Sequence, residues 1–274
     1  MTPYLSFEWM KLSRRWMPRI ILLMLLGLTV LVFWGQGTRL EGRANLFLPR
    51  GWLAALAFCS FFGPFFWPVI GGSWAGNEYG WGTIRAILTR RPERIEQALA
   101  ALAVLLVGVL LALIGILVVA TGMSVVVAAA TGNPSWTSGL FGGTFAATML
   151  KGLLTAWYVS GFYLLLAYAA AVVTRSAAVG IGFGIGSTLA EIVLREIFAS
   201  LGGVWDTIAQ HFPFVYSRDM ITGVVGPQLI PGTNLSRVPT DAPSVTQSLI
   251  ALAIYGAVMV AAMLVAVRTR DVTA

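Results

Sequence analysis

Long charge-free stretches separated by short polar ones run along most of the chain. Apolar windows of the length a bilayer requires, about 20 residues, extend from Ile20 to Thr38, Gly51 to Asn77, Gln97 to Leu150, Gly152 to Thr174 and Ala242 to Val267. The third is too long for one crossing. It breaks at Thr131-Gly132-Asn133-Pro134-Ser135, a cluster of turn formers. A further apolar segment from Ser176 to Leu201 carries Glu191, Arg195 and Glu196 in its second half. The pattern predicts an all-α membrane protein, a single transmembrane domain over 1–274 with spans at 20–38, 52–76, 97–130, 139–173, 176–201 and 246–267. An even number of spans puts both termini on one side.

Two segments are amphipathic or broken rather than uniformly apolar. Over 4–17, Leu5, Trp9, Leu12 and Trp16 fall in one stripe by their i, i+4, i+7, i+11 spacing. The expectation is a helix lying on the membrane surface, with Trp in the headgroup layer and Lys11, Arg14 and Arg15 turned away toward anionic lipid. Pro18 then lets the chain turn into the first span. Trp9, Met10, Trp16 and Met17 suit such a helix better than the short basic start of a cleaved signal. The segment 202–245 mixes Trp205, Phe212, Phe214 and Tyr216 with Pro213, Pro227, Pro231 and Pro239. It is too broken to span and too apolar for a free loop, which points to short re-entrant or outer-surface helices.

Composition removes the soluble alternatives. Of 274 residues 58% are hydrophobic and 11% charged, against roughly 45–50% and about 25% in soluble domains. One cysteine, Cys59, and one histidine, His211, exclude a disulfide framework and most Cys- or His-based metal centres. The net charge of +7 would suggest a nucleic-acid partner in a soluble protein, but here the cations follow the loops. Placing the termini in the cytoplasm puts eleven Lys and Arg residues inside and six outside, with Lys151 left in a span. By the positive-inside rule the chain is expected to be a multi-pass protein of the cell inner (plasma) membrane with both termini cytoplasmic and no nucleic acid bound.

The loop between the second and third spans, 78–94, carries the most information. Glycines break the incoming helix, Thr83 can cap a short turn in which Ile84, Ile87 and Leu88 share a face, and Pro92 and Glu93 restart a helix. A basic loop that merely obeys the charge rule is the plainer alternative. With Glu8-Trp9-Met10-Lys11-Leu12 and Arg14-Arg15 near the start, six spans, and a first cytoplasmic loop of the form Glu78-x-x-x-Gly82-Thr83-x-Arg85-x-x-Leu88-x-x-x-Pro92-x-Arg94, the chain resembles the permease subunits of type 2 ABC exporters over nearly its whole length.

The resemblance implies several roles. The helix over 4–17, with Leu5, Trp9, Leu12 and Trp16, would be the family's interfacial elbow. Glu78, Gly82, Thr83, Arg85, Ile87 and Leu88 would form the coupling helix that docks on an ATP-binding subunit. The fifth span, through Gly180, Gly182, Gly184 and Gly186, would line the interface with a second permease chain, identical or not. Only two lysines are present, Lys11 and Lys151, and neither sits in a G-x-x-x-x-G-K-[ST] phosphate loop. The expectation is therefore no enzyme activity and no cofactor in this chain, with ATP and Mg bound by the partner subunit.

Other residues leave alternatives open. Lys151 in the fourth span is either a translocation-pathway residue or one that snorkels to the surface. Glu191 and Arg195, at i, i+4 and joined by Glu196, form either an outer gate or a structural ion pair. The glycines equally suit packing within one chain. A secondary transporter or channel is the main alternative, but neither a mid-span acid pair nor an inverted repeat is visible. An intramembrane hydrolase using Ser187 and His211 is disfavoured because His211 falls outside the spans. The sequence does not separate export of a substrate from extraction of a peptide out of the membrane.

Overall fold

The computed structural model describes residues 2–39, 43–80, 82, 93–132, 144–229 and 242–269. Among these there is no strand. The helices are α1 (Thr2–Arg14), α2 (Trp16–Gly37), α3 (Arg50–Gly80), α4 (Arg94–Thr131), α5 (Phe145–Thr174), α6 (Ala177–Leu201), α7 (Val204–Ala209), α8 (Pro213–Val225) and α9 (Val245–Thr269), with one 3₁₀ turn at Gly226–Gln228. Six of them, α2 to α6 and α9, are long and apolar enough to cross a membrane.

The bundle is organised around α3 and α5. Their apolar windows are 67% and 72% buried, whereas those of the other four spans are 33% buried or less. Small residues permit this closeness, because apolar side chains gain little by leaving lipid and helices instead associate by tight backbone contact. A side chain at Gly71 would run into the Leu164 backbone of α5, one at Gly72 into Gly180 and Ile181 of α6, and one at Gly76 into Ala177. The connection from α5 to α6 is two residues long. Arg175 takes a left-handed conformation (φ 60°), and the Ser176 hydroxyl accepts the Val179 N–H, capping α6.

These connections sort the molecule into two ends. One end gathers α1, the end of α3, the start of α4 and the α5–α6 turn. The Tyr4 hydroxyl donates to Glu93 (3.4 Å), and the Arg175 guanidinium stands 6.0 Å from the Tyr79 ring centroid. The other end holds residues 43–50, α7 and α8. There Ser124 donates to the Leu46 carbonyl (2.6 Å) and Trp52 to Thr121 (2.7 Å).

Element boundaries differ from the sequence pattern in three places. The chain bends at Arg15, which is extended (φ −73°, ψ 136°), whereas Pro18 sits inside the first turn of α2, where its missing N–H removes no helical bond. Gly76 does not break α3, which runs on and ends at Gly80, so Glu78 belongs to a helix and not to a loop. Gly76 instead lets α6 approach. The fourth span starts at Phe145 with Thr144 as its N-cap, where the sequence pattern puts the start at 139; residues 139–143 lie outside the described residues.

Candidate functional site

Positions 4, 8, 11 and 15 of the N-terminal segment share one face at helical spacing. In the fold this is the face turned inward. Tyr4 and Glu8 are buried, Glu8 completely, and the Lys11 side chain is only 11% exposed. The stripe at 5, 9, 12 and 16 behaves oppositely: Leu5 and Leu12 are half-buried, while Trp9 and Trp16 are 45% and 74% exposed. The expectation that Lys11 turns toward anionic lipid is therefore corrected. Lipid solvates Leu and Trp as well as a protein interior does, so the apolar stripe gains nothing by burial, whereas charges beside hydrocarbon must find partners.

Lys11 finds three. Its ammonium pairs with Glu8 one turn back (2.5 Å) and with Glu78 in the last turn of α3, and it lies over the Trp74 ring at 4.5 Å from the centroid. The indole N–H of Trp74 donates to the same Glu8 carboxylate (2.9 Å), Gln97 of α4 donates to Glu78 (3.4 Å), and the Arg15 guanidinium stands 4.8 Å from the Trp74 ring centroid. Trp74 and Glu78 are i, i+4, so one face of α3 offers a donor, a π surface and an acid to α1. Three helices are thereby joined through a core of two carboxylates and one ammonium. Among the described residues the second, buried Glu8 oxygen has no hydrogen-bond partner.

The chain leaves this cluster directly into the segment expected to contact another subunit. Two residues after Glu78, α3 ends. Gly82 follows with φ 68°, a conformation that favours glycine, and its N–H returns to the Tyr79 carbonyl (3.2 Å). Thr83, Arg85, Ile87 and Leu88 lie outside the described residues, as does Pro92. Arg94 opens α4.

The remaining predicted residues are dispersed. Lys151 sits exposed in the second turn of α5, near a helix end. Glu191 does not pair with Arg195. Its carboxylate accepts the Phe214 N–H at the start of α8 (2.7 Å), while Arg195 lies 3.7 Å from exposed Glu196. A helix N-terminus offers unpaired N–H groups and a partial positive charge, which compete well with a partly exposed guanidinium for a half-buried carboxylate. The four glycines of α6 divide. Gly180 packs on Ala167 and Ala171 of α5, and Gly184 on Pro68 and Ala167, so both serve packing within the chain. At Gly182 and Gly186 a Cβ would meet no atom of the described residues within 4 Å.

Two polar groupings have no counterpart in the sequence expectations. Trp74 joined the cluster unforeseen, although a Trp four residues before the first acid after a charge-free window was its signal. On α8, Asp219 is buried and bound by neighbouring Arg218 (2.7 Å), and Ser217 pairs with Tyr163 of α5 (2.8 Å). Among the described residues no group of three His, Cys, Asp or Glu could hold a metal ion.

A profile of ABC-2 family transporter proteins matches residues 4–191, from the first helix to the Glu191 that caps α8. The chain belongs to the ABC-2 transporter family. Comparison with curated proteins finds no match. As an ABC-2 permease it is a multi-pass membrane component of a transport system and not itself an enzyme. The ion cluster and the two glycine registers of this ABC-2 permease all lie within the matched region.

Proposed function

We propose that the chain is the permease subunit of an ATP-driven exporter. It forms the substrate path with a second permease chain, carries both termini in the cytoplasm, and receives work from a separate ATP-binding subunit that holds ATP and Mg. The observation supporting this reading most directly is the buried Glu8–Lys11–Glu78 cluster. A push on the segment after Gly80 moves the end of α3, and the cluster transmits that movement to α1 and, through Gln97, to α4. A loop that only obeyed the charge rule would need no such anchor. In this reading α1 is the elbow and 78–94 the coupling region, with Thr83, Arg85, Ile87 and Leu88 at the contact and Glu78 as its anchor. Outward-facing Gly182 and Gly186 are the registers for the second permease chain.

The test is copurification. Leu88→Asp, or Glu78→Ala with Arg85→Ala, should leave membrane insertion intact and abolish association with the ATP-binding subunit or uncouple its hydrolysis. A buried unpaired carboxylate at a docked surface costs several kcal/mol, whereas the same group in a solvated loop costs almost nothing. Normal association and normal coupling in both variants would rule out this contact.

A further inference from the structure

Between α1, α2, α3, α4 and α5 lies a cavity of about 230 Å³. Its walls are apolar side chains, among them Trp67, Ile70, Leu105, Val109 and Leu164, and no carboxylate lines it. Ser13, Arg19 and Leu111 border it and are exposed, so it opens on the surface of the bundle beside the bend at Arg15. The volume is below the roughly 300–1,000 Å³ of pockets that enclose a whole small molecule, and the walls offer almost no hydrogen bonding. A stretch of hydrocarbon chain fits both facts.

The mouth is chemically different from the walls. The Arg19 guanidinium donates one N–H to the Ser13 carbonyl and lies 5.8 Å from the Trp16 ring centroid, which holds it at the rim. Arg14, the last residue of α1, is exposed four residues before Pro18, and Trp9 of α1 and Trp16 of α2 are exposed as well. Tryptophans with arginines are the side chains found at headgroup level, where cations attract anionic lipid.

We propose that this cavity binds one acyl chain of an anionic glycerophospholipid, with the lipid phosphate held at Arg19. The lipid fills the gap between the α1–α2 bend and α4, and so wedges the element that carries Lys11 against the bundle. In the orientation proposed above the lipid comes from the cytoplasmic leaflet, but binding itself does not depend on that orientation.

Native mass spectrometry of the full chain, purified in detergent and given equal dioleoyl-phosphatidylglycerol and dioleoyl-phosphatidylcholine, tests this. The wild type should retain one lipid with about a fivefold preference for phosphatidylglycerol, the scale of one arginine acting on an anionic headgroup. Arg19→Gln, an exposed change, should bring the preference close to one while lipid is still retained. Ala112→Phe, which fills the cavity, should retain neither lipid. A preference unchanged by Arg19→Gln would overturn the proposal, as would undiminished retention in folded Ala112→Phe. A change of oligomer size in Ala112→Phe without loss of lipid would also overturn it, since a second copy would then be the occupant.

Discussion

Lys11 in the first helix is ion-paired with Glu78, 67 residues later, in the last turn of α3. Because Glu8 binds the same ammonium, removing Lys11 leaves two carboxylates facing each other in a buried site. Breaking a buried ionic group in this way costs about 3–5 kcal/mol, whereas replacing the whole group is often close to neutral. Lys11→Met should therefore lower the unfolding temperature in detergent markedly, and the triple variant Glu8→Gln, Lys11→Met, Glu78→Gln should recover most of the loss. A Lys11→Met protein as stable as the wild type would mean that the cluster adds nothing to the fold.

The glycines of α6 should separate into two phenotypes. Ala at Gly180 or Gly184 pushes a methyl into Ala171, Ala167 or Pro68 and should destabilise the chain by about 1–3 kcal/mol. A Cβ at Gly182 or Gly186 has no atom of the described residues within 4 Å, so Leu there should leave stability unchanged while the yield of cross-linked permease pairs falls. Equal cross-linking in both outward variants would leave α6 without a part in pairing.

Glu191 is expected to hold the start of α8. Glu191→Ala should cost about 1–2 kcal/mol, as loss of a helix cap does, and should increase hydrogen exchange at the Phe214 amide, with Glu191→Gln milder. Arg195→Ala should change little, because its partner Glu196 is solvent-exposed. A large Arg195 effect with a silent Glu191→Ala would restore the pair expected from their spacing.

Reporter fusions should place Arg90 and Arg175 in the cytoplasm and Arg43, Pro134 and Thr233 outside. Gly76 against Ala177 and Arg175 beside Tyr79 put the C-terminal end of α3 and the 175–176 connection at one end of the bundle. Opposite labels at Arg90 and Arg175 would contradict the fold as well as the orientation.

The span pattern was readable because hydrocarbon imposes it: charge-free windows near 20 residues leave few alternatives, and the turn formers at 131–135 divided the one overlong window. What the sequence concealed was direction. The apolar stripe Leu5-Trp9-Leu12-Trp16 would face a core in water, yet in lipid the neighbouring face with Glu8 and Lys11 is the one that needs protein. Gly76 and Gly80 read as breaks because glycine weakens an isolated helix, but Gly76 is present for the approach of Ala177, which only the three-dimensional neighbour explains. Glu191 and Arg195 had the spacing of an ion pair, and the competitor, the Phe214 N–H, is 23 residues away and cannot be seen in a local window.

Coupling through the α1–α3 joint can be measured by exchanging its charges. In complexes of the permease with its ATP-binding subunit, Lys11→Glu and Glu78→Lys should each leave subunit association intact and remove the effect of the permease on the ATP hydrolysis rate. The double exchange restores one ammonium between two carboxylates and should return most of that effect. Single variants with wild-type hydrolysis, or a double variant no better than either single, would contradict transmission of work through Lys11 and Glu78.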